Sequence, residues 1–225
     1  MKKILVFSAV IGLGILFLSA CSKLDSESAT ITPAPVFNVS EQAENPETQQ
    51  IELEDGNYIV STEDSQVAWS GKRILGSGHS GLVNLKSANF IVENKILIAG
   101  EFIIDMTSIH NSEGNEALVK HLKSTDFFDV ERYNEAKLVI TESELNQLAS
   151  FLIKANLTIK DISVPVEFQA NFEVKEGSLA ILSDLTIDRT LWNIRYDSGS
   201  FYEDLGDAAI EDEIGFKIYL VAMKE

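Results

Sequence analysis

The sequence has few of the residues on which several classes of protein depend. A single cysteine among 225 residues excludes an internal disulfide. Eighteen lysines and arginines against 35 aspartates and glutamates give a net charge of −17. Such a surface repels nucleic-acid phosphates, so the composition excludes DNA or RNA binding. Proline is also scarce, at four residues, and 45% hydrophobic residues suffice for one sizeable core.

Histidine is too rare and too scattered to indicate a metal site. The chain contains only His79, His110 and His121, and no two of them have the i, i+4 spacing of a helical zinc site. The Gly-x-Ser-x-Gly motif of many hydrolases is absent as well. A hydrolase would need a histidine and a nucleophile within hydrogen-bond reach, and the sequence places no such pair. We therefore expect no enzymatic activity, no metal and no cofactor.

The N-terminus has the features of a bacterial lipoprotein signal. Met1–Lys3 is positively charged, Ile4–Leu18 is almost entirely apolar, and Leu18–Cys21 has the Leu-small-small-Cys pattern. The apolar run is short for a membrane span, which needs about 20 residues. The alternatives are an ordinary secretory signal or a membrane helix with a chance cysteine. The pattern predicts removal of residues 1–20 and lipid attachment at Cys21.

A lipid on Cys21 would place the protein in the bacterial cell envelope. Ser22 follows the cysteine in place of aspartate, which in the enterobacterial sorting scheme favours the outer membrane. Residues 21–55 are rich in Ser, Thr, Ala, Gln and Glu and contain Pro33, Pro35 and Pro46. Such a segment buries too little apolar surface to fold, so we predict a disordered acidic tether. The expected location is the periplasmic side of the outer membrane or the cell surface.

From residue 56 the sequence alternates as β-strands do. Tyr58–Val60 and Gln66–Trp69 are predicted as two strands separated by a turn at Glu63–Ser65. The clearest hairpin joins Phe151–Ile159 to Val164–Val174, each with apolar and polar residues in alternation. In all, the pattern predicts eight to ten strands with short connections, which form a sandwich or a barrel. A barrel of around eight strands has room for one small or slender ligand.

One segment interrupts the strands with a helix. We predict a short helix that begins at Asn115–Glu116 and ends near Ser124–Asp126, followed by Phe127 and Phe128. A β-protein that contains one compact helical segment with apolar residues commonly uses it as a cover. We therefore expect this segment to close one end of a barrel.

This segment and four later ones carry a resemblance to a known family: His121–Val130, Tyr133–Ala136, Leu157–Val166, Asp188–Tyr196 and Gly199–Asp207. On these segments the chain resembles the YceI-like proteins, bacterial proteins with a lipocalin-like antiparallel β-barrel, in a lipoprotein form of the Bacteroidetes type. The resemblance covers roughly residues 57–223, within a domain of residues 56–225. Asn134 and Asp161 depart from the family's usual proline and glycine, and both lie in predicted turns.

The resemblance implies a barrel that binds a long apolar lipid, such as a polyisoprenoid or an isoprenoid quinone. The candidates to line the ligand are Trp69, Phe102, Ile104, Phe127, Phe128, Phe168, Phe172, Trp192, Tyr196 and Phe201. The candidates to contact a polar headgroup are His79, His121 and Arg189. Each of these residues could instead serve core packing or local hydrogen bonding. The alternative function is an envelope or surface interaction protein with a filled barrel and no lipid, and a homodimer is a further arrangement that the sequence leaves open.

Overall fold

The computed structural model describes residues 52–146, 150–175 and 177–225. Within these residues, eight antiparallel strands form a closed barrel in which each strand pairs with the next and β8 pairs with β1. The strands are β1 (Gly56–Lys72), β2 (Gly78–Glu93), β3 (Ile96–Asn111), β4 (Glu135–Leu145), β5 (Phe151–Ile159), β6 (Ile162–Lys175), β7 (Ser178–Asp188) and β8 (Glu213–Lys224). This confirms the predicted lipocalin-like barrel. The predicted signal peptide, Cys21 and the tether up to residue 51 lie outside the described residues.

The hairpin of β5 and β6 shows how the alternating sequence builds the wall. Along β5 the residues from Phe151 to Ile159 alternate between buried and half-buried, with the apolar side chains inside. Lys160 and Asp161 connect the two strands with φ of 51° and 58°. A two-residue hairpin with both residues at positive φ matches the twist of the strands. Aspartate tolerates this backbone better than most residues other than glycine and asparagine, so Asp161 can replace the family's usual glycine.

The first strand differs from the sequence prediction. β1 is a single strand, and the predicted turn at Glu63–Ser65 is a bulge within it, because the register toward β2 shifts between Ile59 and Val67. The Oγ of Ser65 accepts a hydrogen bond from the backbone N–H of Val221 in β8 at 3.0 Å. The bulged residues therefore stay attached to the neighbouring strand, and the chain does not reverse.

The barrel has two unlike ends. We call the end at which β1 starts the base and the end at which β1 finishes the mouth. At the base, the rings of Tyr58 and Phe90 stack with centroids 4.9 Å apart, and the side chain of Leu53 is buried. Tyr58 donates a hydrogen bond to the backbone oxygen of Glu54 at 2.8 Å. Residues 53 and 54, just before the barrel, therefore pack against its base.

The helix α1 (Glu116–Lys123) lies on the connection between β3 and β4, at the mouth. Asn115 caps its N-terminus by accepting a hydrogen bond from the N–H of Leu118 at 3.0 Å, and Ser124 is its C-terminal cap. These bounds confirm the predicted helix. Leu122 and Phe127 are buried in the core, so the segment covers this end of the barrel.

Two short 3-10 helices, Arg189–Trp192 and Gly206–Ala208, lie on the connection between β7 and β8. Among the described residues, no helix has the length and hydropathy that a membrane span requires.

The ladder between β6 and β7 is incomplete on the side of the mouth. The paired residues extend from Gln169 and Asp184 to the base, so the part of β6 before Gln169 has no described ladder partner in β7. Pro165 lies in this part of β6 and pairs only with Asn156 of β5 among the described ladders. Proline has no N–H to donate and is found in sheets at such edges. The 3-10 helix that contains Trp192 packs against β6 and covers part of the gap.

Candidate functional site

A large cavity lies inside the barrel. Its volume is about 340 Å³, within the range of roughly 300–1,000 Å³ that is usual for small-molecule sites. Nearly all of its lining is aliphatic or aromatic. Nearer the base it is lined by Phe90, Leu97, Ala170, Phe172, Ile181 and Leu220. The interior is thus an apolar tube with space left unfilled by side chains.

Eight of the ten predicted lining residues face this cavity. They are Trp69, Phe102, Ile104, Phe127, Phe128, Phe168, Phe172 and Tyr196. These residues come from β1, β3, β6, the segment after α1 and the connection before β8, so the closed barrel brings together positions far apart in sequence. Leu118, His121 and Leu122 of α1 line the cavity as well.

The structure places the other two predicted residues elsewhere. Trp192 is almost fully buried, does not line the cavity, and donates from its indole Nε1 to the backbone oxygen of Leu157 at 3.1 Å. Phe201 is exposed, and the guanidinium carbon of Arg195 lies 4.2 Å from the centre of its ring. Both residues lie between β7 and β8, where no regular alternation indicates which side chains point inward.

Aromatic residues alone underestimate the lining. Aliphatic side chains at inward positions of the strands also line the cavity, among them Val67, Ile109, Ile140, Ile153, Leu157, Leu185 and Ile214. The signal for them was present, because they occupy the apolar positions of alternating strands. They can be predicted by following that alternation along each strand.

The predicted headgroup residue Arg189 is a structural centre of the mouth. It is 1% exposed, and its N–H groups bond to five acceptors. Nε donates to Glu211 O at 3.1 Å, Nη1 to Ile194 O and Tyr196 O at 2.9 Å each, and Nη2 to Ile210 O at 3.1 Å and Asp212 Oδ1 at 3.3 Å. A guanidinium has five N–H donors, so within the described residues Arg189 retains none for a headgroup. Burial lowers the pKa of Arg189, and the Asp212 carboxylate opposes that shift.

The two predicted histidines also line the cavity near its mouth. His79 lies 3.0 Å through Nδ1 from a carboxylate oxygen of Glu113, and this contact, with a smaller contribution from Asn111, lowers the pKa of Glu113. The His121 ring packs edge-on against Tyr196, with centroids 4.5 Å apart. Its Nε2 is 3.4 Å from a carboxylate oxygen of Asp126. His121 therefore joins α1 to the connection before β8.

The mouth is the polar part of the cavity and carries both signs of charge. Lys72, Arg73, Glu211 and Glu213 line it. The Lys72 ammonium is 3.2 Å from a carboxylate oxygen of Glu211, and Arg73 donates to the backbone oxygen of Ala208. Together with the apolar interior, this rim makes the site amphipathic along its length.

The described residues also bear on metal binding and catalysis. In residues 52–146, 150–175 and 177–225, no group of three or more His, Cys, Asp and Glu side chains could hold a metal ion. Nor does any hydroxyl of these residues hydrogen-bond to a histidine ring. The chemistry that this site does offer is the enclosure of an apolar molecule whose polar end lies at the mouth.

A family model and several solved structures are similar to this chain. The YceI-like domain model matches residues 58–222. The structure of BcnA from Burkholderia cenocepacia has 19% sequence identity and a TM-score of 0.60, over 72% of this chain and 98% of that one. A polyisoprenoid binding domain from Saccharophagus degradans, implicated in plant cell wall breakdown, has 13% identity and a TM-score of 0.57, over 75% and 98%. The YCEI protein of Campylobacter jejuni has 17% identity and a TM-score of 0.51, over 64% and 85%. At these identities the three structures support the fold alone. Among curated proteins, none matches the chain.

Proposed function

The chain belongs to the YceI-like family, and we propose that its barrel binds, carries or stores one long apolar lipid of the polyisoprenoid or isoprenoid quinone class. The observation that carries the proposal is the unfilled apolar cavity with a polar mouth. The Saccharophagus degradans relative is itself described as a polyisoprenoid binding domain. The alternative of a filled barrel that acts only through its surface is disfavoured by the same cavity.

The energetics of such binding come from the apolar wall. Each buried CH₂ group contributes about 0.8 kcal/mol. Association itself costs an estimated 4–15 kcal/mol. A ligand must therefore bury a substantial length of hydrocarbon before it binds well. An isoprenoid chain that enters from the mouth and extends past Phe168 toward Phe172 meets mainly apolar side chains, and the Ser183 hydroxyl on this path donates to the backbone oxygen of Gln169.

The headgroup of the ligand would lie at the mouth. Because the donors of Arg189 are engaged by the protein, the ionisable side chains that remain near a headgroup are Lys72, Arg73, His79, His121, Glu211 and Glu213. These groups include both cations and a carboxylate. They fit a small polar headgroup that carries no large net charge, such as a hydroxyl or a quinone.

Mass spectrometry of co-purified lipid tests the proposal directly. The protein is purified from its native membranes or from lipid-supplemented cells, extracted with organic solvent, and the extract is analysed. In parallel, delipidated protein is mixed with a long-chain polyprenol or a menaquinone in detergent and re-isolated. We expect about one lipid per barrel, since one cavity of this size is present. A well-folded protein that never carries or takes up lipid in either experiment would overturn the proposal.

We further propose that a lipid on Cys21 anchors the chain to the cell envelope. The support is the positively charged, then apolar, then Leu-small-small-Cys sequence of residues 1–21. Cells grown with a radiolabelled fatty acid should label the protein, and Cys21→Ser should lose both the label and the membrane association. Retention of the label in Cys21→Ser would contradict the anchor without affecting the proposal on the barrel.

A further inference from the structure

The hairpin between β1 and β2 exposes apolar side chains beside the mouth. Its tip, Arg73–Ser77, carries Ile74 and Leu75 with 54% and 61% of their surfaces exposed. Gly76 turns the tip at a φ of +135°, and a Cβ placed on it would meet no atom within 4 Å. The tip therefore leaves more than half of the surface of each of these two apolar side chains uncovered.

Two exposed aromatic residues lie next to this tip. The backbone of Arg73 pairs with Ile210, which also pairs with Ser198 on its other side. The N–H groups of Phe201 and Tyr202 both bond to the backbone oxygen of Ser198, at 3.1 and 3.0 Å. The side chains of Phe201 and Tyr202 are 45% and 53% exposed. We define the rim as Ile74, Leu75, Phe201 and Tyr202.

The rim is continuous with the entrance to the cavity. Lys72, Arg73 and Ser77, which flank or belong to the hairpin tip, line the cavity itself. Single exposed apolar residues are ordinary on protein surfaces, but a cluster at the entrance of an apolar site indicates contact with an apolar partner. Isoleucine and leucine, together with phenylalanine and tyrosine, are residue types that interfacial segments bury at the boundary between headgroups and acyl chains.

We propose that the rim docks onto the surface of a lipid bilayer and brings the mouth to the level of the acyl chains, so that the ligand passes between membrane and barrel without crossing water. This inference rests on the proposed lipid-carrier function. It adds the partner, the orientation and the residues that make the contact.

The charges around the rim specify the kind of bilayer. Lys72, Arg73 and Arg195 are cationic, but four acids offset them: Glu211 and Glu213 line the same mouth, and Glu203 and Asp204 directly follow Tyr202. The rim region therefore lacks the excess of positive charge by which basic segments select anionic lipids. Docking depends on insertion of the apolar side chains. It takes place on zwitterionic phosphatidylcholine and changes little with salt.

A tryptophan at the tip reports whether it enters the bilayer. The full chain with Leu75→Trp is mixed with vesicles of brominated phosphatidylcholine, whose bromines quench indole fluorescence at acyl depth. The matched control is Leu145→Trp, since Leu145 is 47% exposed at the base, the opposite end of the barrel. The unsubstituted chain gives the background of the two native tryptophans. This comparison is valid whether or not the N-terminus is itself attached to the vesicle.

We expect quenching and a blue shift for Leu75→Trp and neither for Leu145→Trp, at low and at high salt alike. Equal quenching at both positions, or none at Leu75→Trp, would overturn the docking proposal. Quenching that requires phosphatidylglycerol and disappears in salt would overturn the assignment to a zwitterionic surface.

A second pair of variants links docking to lipid uptake. Ile74→Asp with Leu75→Asp removes the apolar tip, and Leu145→Asp with Val174→Asp makes the same change in charge at the base, where Val174 is 67% exposed. The tip variant should take up a long-chain polyprenol from phosphatidylcholine vesicles roughly tenfold more slowly than the unsubstituted chain, which corresponds to an activation barrier about 1.4 kcal/mol higher. It should load normally from detergent, and the base variant should match the unsubstituted chain in both. Equal vesicle uptake by the two variants rejects the docking role, whereas failure of the unsubstituted chain to load from detergent rejects the carrier function instead.

Discussion

Replacement of Arg189 by methionine distinguishes a structural role from a ligand contact. Methionine keeps a similar length and an apolar body but removes all five donors. The change leaves four backbone carbonyl oxygens and the carboxylate of Asp212 without their partner. Those acceptors lie in two segments, around residues 194–196 and 210–212, so both segments lose their bonds to the Arg189 side chain and keep only backbone bonds to residue 189.

The magnitude follows from the burial of the group. Removal of one partner of a buried, hydrogen-bonded ion pair typically costs about 3–5 kcal/mol. Each buried acceptor left unpaired costs about 1–3 kcal/mol, but these costs do not add, because a loosened segment near the mouth regains water. We therefore expect a loss of about 3–5 kcal/mol in the free energy of unfolding, a large share of the 5–15 kcal/mol that is usual for a domain. Arg189→Lys should lose less of the free energy of unfolding than Arg189→Met does, since an ammonium keeps three donors.

Urea denaturation followed by circular dichroism measures this loss. The control is Arg132→Met, whose guanidinium lies 5.0 Å from the centre of the Tyr133 ring at the surface and whose removal should cost no more than about 1 kcal/mol. Polyprenol loading is measured on the same variants under conditions in which each is folded. If the free energy of unfolding of Arg189→Met lies within about 1 kcal/mol of that of the native chain, and the variant no longer loads lipid, the structural role is wrong and Arg189 contacts the ligand.

Three further changes test other parts of the barrel. Phe168→Trp should reduce polyprenol loading and lower the free energy of unfolding by less than about 1 kcal/mol, because Phe168 faces unfilled space. A loss of about 1–3 kcal/mol in the free energy of unfolding, with normal loading, would instead indicate a filled core. Gly81→Ala should destabilise the fold by about 1–3 kcal/mol in the same assay, since its Cβ would lie 1.8 Å from a backbone oxygen of β3. Gly71→Ala is the control and should be nearly neutral, because no atom lies within 4 Å of its Cβ, and equal losses for the two variants would contradict this packing. Asp55→Asn tests the dependence of stability on pH. The hydrogen bond from the backbone N–H of Lys95 is the main cause that holds the pKa of Asp55 below its ordinary 3.8. A lowered pKa stabilises the folded state above 3.8 and not at lower pH, so Asp55→Asn should be less stable than the native chain at neutral pH, with the difference closing as the pH falls below 3.8; a difference that persists in acid would refute this linkage.

The strands and the helix could be predicted where local sequence carries the signal. The alternation of Phe151–Ile159 determines which face is inward, because a strand turns successive side chains to opposite sides. Asn115 and Ser124 delimit α1 for an equally local reason, since their side chains bond to backbone groups of the same helix. The bulge in β1 was not predictable from its turn-like residues, because what prevents a reversal is a hydrogen bond to Val221, far away in sequence.

The site shows the same division. Phe168 and Phe172 were predictable as cavity residues because they lie on a regular strand. Trp192 was not, because its position depends on the backbone oxygen of Leu157 and on the gap beside β6. The role of Arg189 was hidden for a related reason. Four of its five acceptors are backbone carbonyls, which any residue provides and which therefore leave no pattern in the sequence.

The order of the strands has a consequence for how the empty and the loaded protein fold. In the described part of the chain, seven ladders join strands that are neighbours in sequence, and the eighth joins β1 to β8, where Tyr58 pairs with Lys224. The entropic cost of bringing chain ends together grows with their separation, so this last ladder is the slow, non-local step. The cavity is enclosed only once that ladder has formed. A lipid that binds the closed barrel therefore shifts the equilibrium toward closure by mass action, and the ligand becomes part of what keeps the first and last strands together.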